Sequence, residues 1–126
     1  MKKFNTLVFC GRFQPFHNGH RAVIDKALEY AHEVVICIGS SWQPRSTKNP
    51  LTFQERRSLI EAQYPLAVTG AESLRPIKIV DIMDYPYDDN AWVSSVQNKV
   101  NAARTVYDRS LGTGLIGHSK DHSSYY

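Results

Sequence analysis

No apolar run in this sequence approaches the ~20 residues that a membrane-spanning helix requires. Met1-Lys2-Lys3 leads into a short strand-like stretch and not into the apolar core of a signal peptide, so a cytoplasmic location is expected. Cysteine is scarce, with 2 in 126 residues. Cys10 and Cys37 each lie inside an apolar run and form neither a CxxC pair nor a His/Cys ligand pattern. Both therefore read as buried thiols, with no disulfide framework, no zinc site and no protein-built metal site implied. Concentrated charge is missing too. The formal net charge is only +3, and Lys and Arg are scattered apart from short pairs at Lys2-Lys3 and Arg56-Arg57. A nucleic-acid surface would gather its cations, whereas a small anionic ligand needs only a few. Internal repeats, low-complexity tracts and interdomain linkers are also absent from the sequence.

What is present is an alternation of two periodicities. Thr6 to Cys10 is a short apolar run stopped by Gly11, as in a buried strand. Val23, Ile24, Ala27, Leu28 and Ala31 then recur at helical spacing. Val34 to Ile38 is a second continuous apolar run, closed by Gly39, and fits a strand covered on both faces. After a polar stretch from Trp42 to Pro50, Thr52 and Glu55 have the spacing of a capping box. That spacing predicts a helix from about Phe53 that ends before Pro65. Ile77 to Ile82 supplies a third strand, and Trp92, Val93, Val96, Val100, Ala103 and Tyr107 mark a third helix. Gly114 to Gly117 reads as a short fourth strand. The order β-α-β-α-β-α-β predicts one α/β domain over residues 1–126, a doubly wound, mostly parallel sheet with helices on both faces. With no closing helix after the fourth strand, the domain reads as cut short there.

In such sheets ligands bind beyond the carboxyl ends of the strands, where the strand order reverses. Four segments follow strands: Gly11 to His20, Gly39 to Asn49, Asp81 to Asn90, and Gly117 to Asp121. The first is the most informative. His17 and His20 stand three apart where a helix is about to begin, so both imidazoles can face one point above its N-terminus, where backbone amides attract phosphate. Phosphoryl transfer requires charge neutralisation and alignment more than covalent chemistry from the protein. Two histidines beside Arg12 suit that task.

Gly11-Arg12-Phe13-Gln14-Pro15-Phe16-His17-Asn18-Gly19-His20 resembles the HxGH signature of the nucleotidyltransferase superfamily, in the GRFQPxHxGH form of nicotinamide mononucleotide (NMN) adenylyltransferases. Ile38-Gly39-Ser40-Ser41, Asn49 to Arg56 and Asn90-Ala91-Trp92-Val93 resemble that family's IGS, NPFTxxER and NxxW segments. Ile116 to Asp121 is most similar to bacterial bifunctional members, in which this domain precedes a Nudix hydrolase domain. The resemblance implies a Rossmann-like nucleotidyltransferase fold and adenylyl transfer from ATP to NMN, giving NAD and pyrophosphate. His17, His20 and Arg12 would be the catalytic residues. Gly11, Phe13, Gly39, Lys48, Arg56, Gly117, Lys120 and Asp121 would join them around ATP, with the main-chain amides of Phe13 and Gly39 lining the nucleotide. Mg2+ would arrive with ATP. Trp92, Asp81, Asp84 and Asn90 would meet the nicotinamide end. Family members often assemble, which brings a homo-oligomer within the expectation. The family's ISxTxxR segment has no counterpart in the sequence.

Two residue roles stay open at this point. Trp92 suits stacking on a cationic ring, yet it also begins the apolar stripe of the third helix. Asp81 and Asp84 suit a carboxamide or a pyridinium charge, and equally suit turns. Nicotinate mononucleotide or phosphopantetheine are alternative acceptors. A binding module that holds NMN or NAD without turnover is the alternative from another class.

Overall fold

The structure is a computed structural model that describes residues 2–13, 17–39, 51–65, 75–82, 89–105 and 110–116. Its elements alternate: β1 (Phe4–Gly11), α1 (Asn18–Tyr30), β2 (Ala31–Ile38), α2 (Phe53–Gln63), β3 (Ile77–Asp81), α3 (Asp89–Ala103) and β4 (Gly112–Leu115). The strands form one sheet in the order β3-β2-β1-β4, and every neighbouring pair is parallel. Strands β2 and β3 are laid down on one side of β1 and β4 on the other, so the switch in direction falls between β1 and β4.

The period-two alternation inside the apolar runs decides which helix each strand residue meets. Leu7 and Phe9 of β1 and Val34, Ile36 and Ile38 of β2 pack with Ile24 and Ala27 of α1 and Ile60 of α2. Val8, Val35 and Cys37 point to the opposite face, against Val96 and Val100 of α3. Helices therefore cover both faces, as the continuous runs require. Among the described residues no helix is long and apolar enough to cross a membrane.

Several boundaries differ from the expected ones for physical reasons. β2 begins at Ala31 and not at Val34, because Phe4 already pairs with Ala31 and the polar Glu33 is neutralised inside the fold. Glu33 and Lys78 are buried side by side, with Nζ 3.0 Å from Oε1. Both carboxylate oxygens also accept from the amide of Thr105, at 2.8 Å each, and Lys78 donates to the carbonyl of Ala103 at 2.7 Å. This network anchors the C-terminal end of α3 beneath the sheet. β4 runs from Gly112 to Leu115, two residues before the expected position, in register with Phe4 to Val8. Gly114 makes that pairing possible, since a Cβ there would lie 2.8 Å from Cε1 of Phe4. α3 starts at Asp89, ahead of Trp92; the expected contribution of Tyr107 lies outside the described residues.

The Thr52 capping box forms as its spacing predicts. Glu55 N–H donates to Thr52 Oγ1 at 3.1 Å, and Thr52 N–H to Glu55 Oε1 at 2.8 Å. α2 ends at Gln63, ahead of Pro65. The cysteines are free thiols: Cys10 is half-buried, Cys37 is buried, and the two are register partners on β1 and β2. A hydrogen bond to Cys10, together with burial, pushes the Cys37 thiol well above its ordinary pKa, so it stays protonated and chemically quiet.

Candidate active site

α1 begins with an uncommon cap. Capping boxes ordinarily pair Ser or Thr with Glu or Gln. Here His17 is the N-cap residue and His20 occupies the third helical position. Nδ1 of His17 accepts from the amide of Gly19 at 3.0 Å, and Nδ1 of His20 accepts from the amide of His17 at 3.2 Å. The two rings stack with centroids 3.8 Å apart and planes 24° from parallel. Both imidazoles are thus fixed at the carboxyl end of β1, over the positive end of a 13-residue helix.

Phe13 supports this pair from below. It is buried, and its ring lies 4.6 Å from His20 and 5.3 Å from Phe9 between centroids. Its φ of 54° places a bulky residue in the left-handed region, which costs on the order of 1–3 kcal/mol and persists only where the surroundings hold it. One hold is steric. A Cβ at Gly11 would come within 3.1 Å of the Phe13 ring, so any side chain there would press on that ring. The other is polar. Arg56 of α2 is fully buried and donates through Nη1 to the carbonyls of Arg12, at 3.0 Å, and Gly39, at 2.6 Å. Its Nε donates to Thr52 O at 3.2 Å.

Two of the residues expected around ATP make contacts within the protein. Arg56 turns its guanidinium onto main-chain carbonyls and so joins the ends of β1 and β2, where a charge facing ligand phosphates was expected. The amide of Gly39, expected to line the nucleotide, donates to the carbonyl of Gly11 at 2.8 Å. The side chain of Arg12 is exposed, and its Cγ would be 3.9 Å from a Cβ at Gly39.

At the end of β3, Asp81 accepts from Lys99 of α3 at 3.1 Å. Trp92 is partly buried and packs against the α3 face of the core, while Asn90, two residues earlier, is exposed. Lys48, Asp84, Gly117, Lys120 and Asp121 lie outside the described residues. Among the described candidates the structure brings His17, His20, Phe13, Gly11, Arg12, Gly39 and Arg56 into one connected unit. Asp81, Asn90 and Trp92 belong to the β3–α3 side. The strongest structural signals that sequence reasoning missed are the buried Glu33–Lys78 pair and the left-handed Phe13. Glu33 directly before the apolar run Val34 to Ile38, and Lys78 inside the run Ile77 to Ile82, were the available hints of the first.

A parallel sheet whose first strand runs into a helix capped by two histidines defines the Rossmann-like nucleotidyltransferase class. The chain belongs to the Cytidylyltransferase-like family, whose model matches residues 8–113. It is 44% identical over 126 residues to the Nicotinamide/nicotinic acid mononucleotide adenylyltransferase of Acinetobacter baylyi, covering 100% of this chain and 62% of that protein. It is 36% identical over 103 residues to the Nicotinamide-nucleotide adenylyltransferase of Ignicoccus hospitalis, covering 82% of this chain and 58% of that one. Its structure superposes with a TM-score of 0.82, at 34% identity, on a bifunctional NMN adenylyltransferase/ADP ribose pyrophosphatase from Francisella tularensis, covering 98% of this chain and 34% of that chain. The chain thus spans about three fifths of the length of these two curated relatives.

Proposed function

We propose that this protein transfers the adenylyl group of ATP to nicotinamide mononucleotide, giving NAD and pyrophosphate in the cytoplasm. The observation that carries the reading is the stacked His17–His20 pair at the start of α1, where phosphate is attracted. The names of the relatives at 44% and 36% identity support the same chemistry.

An oxygen of the acceptor phosphate attacks the α-phosphorus of ATP in line. The new P–O bond forms as the bond to the β-phosphate bridging oxygen breaks, and pyrophosphate leaves with that electron pair. No group on the protein is covalently modified. His17 and His20 donate from Nε2 to phosphate oxygens, and the Arg12 guanidinium offsets the charge that gathers on them. His17, His20 and Arg12 offer nitrogen donors, which suit phosphate and not the oxygen-seeking magnesium ion. Mg2+ would arrive with ATP and would supply charge neutralisation on its phosphates. Trp92 stacks its indole face on the nicotinamide ring.

A second acceptor, nicotinate mononucleotide, is favoured by one observation: the name of the Acinetobacter relative includes both forms. The test is product formation from ATP, magnesium and each mononucleotide in parallel. NAD from the amide substrate upholds the main reading, and a faster reaction with the acid selects the second. Tight NMN binding without any dinucleotide would replace both with a binding module.

A further inference from the structure

We propose that the backbone of α1 fixes the tautomer of both active-site histidines, so that each neutral ring carries its proton on Nε2 and acts as a donor only. In a neutral imidazole one nitrogen bears the hydrogen and the other is the acceptor. Both Nδ1 atoms are occupied as acceptors, His17 by the amide of Gly19 and His20 by the amide of His17. A hydrogen on either Nδ1 would point at an N–H and break the cap. Stacking at 3.8 Å, with Phe13 against His20, resists the ring flip that would exchange the two nitrogens. The main-chain amides of His17 and Gly19 are therefore positioning groups that act through the imidazoles.

The consequence for chemistry rests on the adenylyl-transfer reading. With the lone pair of each ring directed into the helix, neither histidine removes a proton from the acceptor. The substrate must arrive as an already ionised phosphate, and hydroxyl acceptors that require a general base are excluded. The histidines present two N–H groups side by side, matched to adjacent oxygens of a polyphosphate.

The tautomers are read directly from two-bond 15N–1H correlation spectra of the 15N-histidine-labelled protein at about pH 8.5, some two units above the ordinary imidazole value. His17→Asn and His20→Gln, which keep an acceptor oxygen at each cap position, assign the signals. If either variant fails to fold, contacts from the ring protons to the amides of His17 and Gly19 assign them instead. The expected spectrum shows a protonated Nε2 and a bare Nδ1 for both residues. A protonated Nδ1, or averaging of the two forms, in either residue overturns the proposal. Because the spectrum requires no turnover, an Nε2–H pair in a protein that makes no dinucleotide would uphold the lock while sinking the adenylyl-transfer reading. An active enzyme with Nδ1–H would do the reverse.

Discussion

The guanidinium of Arg56 joins the carbonyl oxygens of Arg12 and Gly39, at 3.0 Å and 2.6 Å, so one buried side chain of α2 fixes the ends of β1 and β2 together. Replacing it by Met leaves these two carbonyls without the donor they use, while that of Thr52 keeps the main-chain amide of residue 56 at 3.0 Å. Arg56→Met is therefore predicted to lower stability by about 2–4 kcal/mol, because each buried group left unpaired costs roughly 1–3 kcal/mol. The urea midpoint measures this. Weaker ATP binding at unchanged stability would return Arg56 to the phosphates.

Lys78 and Glu33 form the second buried anchor, at the opposite end of the sheet from the histidines. Lys78→Met strands a carboxylate in the core and is predicted to cost about 3–5 kcal/mol. The double variant Glu33→Gln/Lys78→Met removes both charges and is predicted to lose less than the single one. A loss below about 1 kcal/mol for Lys78→Met would contradict this account.

Much of the fold could be read from the sequence, because the two central strands β1 and β2 are buried on both faces and carry unbroken apolar runs. The Thr52–Glu55 cap and the helix starting near His17 were equally legible, since caps are local. Long-range polar contacts were not. Glu33 and Lys78 are 45 residues apart and each looks like a surface residue until the sheet pairs them. Arg56 likewise reads as a ligand for phosphate until α2 docks and turns it inward. The strand order β3-β2-β1-β4 is set by packing and has no local signature.

Tyr64 ties α2 to α1. Its hydroxyl donates to Asp25 at 2.7 Å, and burial together with that carboxylate raises its pKa above the ordinary tyrosine range. Below about pH 10 the phenol is protonated in both folded and unfolded chains and the contact is intact. Above it the unfolded chain ionises first, so stability falls as pH rises. Tyr64→Phe is predicted to flatten this alkaline slope in urea unfolding between about pH 9 and 11. Identical slopes for the two proteins would contradict the assignment.

Trp92 lies against Val96, Val100 and the rest of the α3 face, so its loss has a packing component. Trp92→Ala is nevertheless predicted to weaken NMN binding by about tenfold or more while ATP binding changes little, as removal of a cation–π partner worth up to about 2 kcal/mol would. Calorimetric titration with each ligand separates the two. Equal losses for both would assign Trp92 to packing alone.

The central claim is direct transfer of the adenylyl group at the histidine pair. ATP labelled on its α-phosphate, offered with magnesium and NMN to the wild type and to His20→Ala, tests it most directly. The label is expected to enter NAD with the wild type, and to do so ~100-fold more slowly with the folded variant. Label released as free AMP, or equal rates for the two folded proteins, would contradict it.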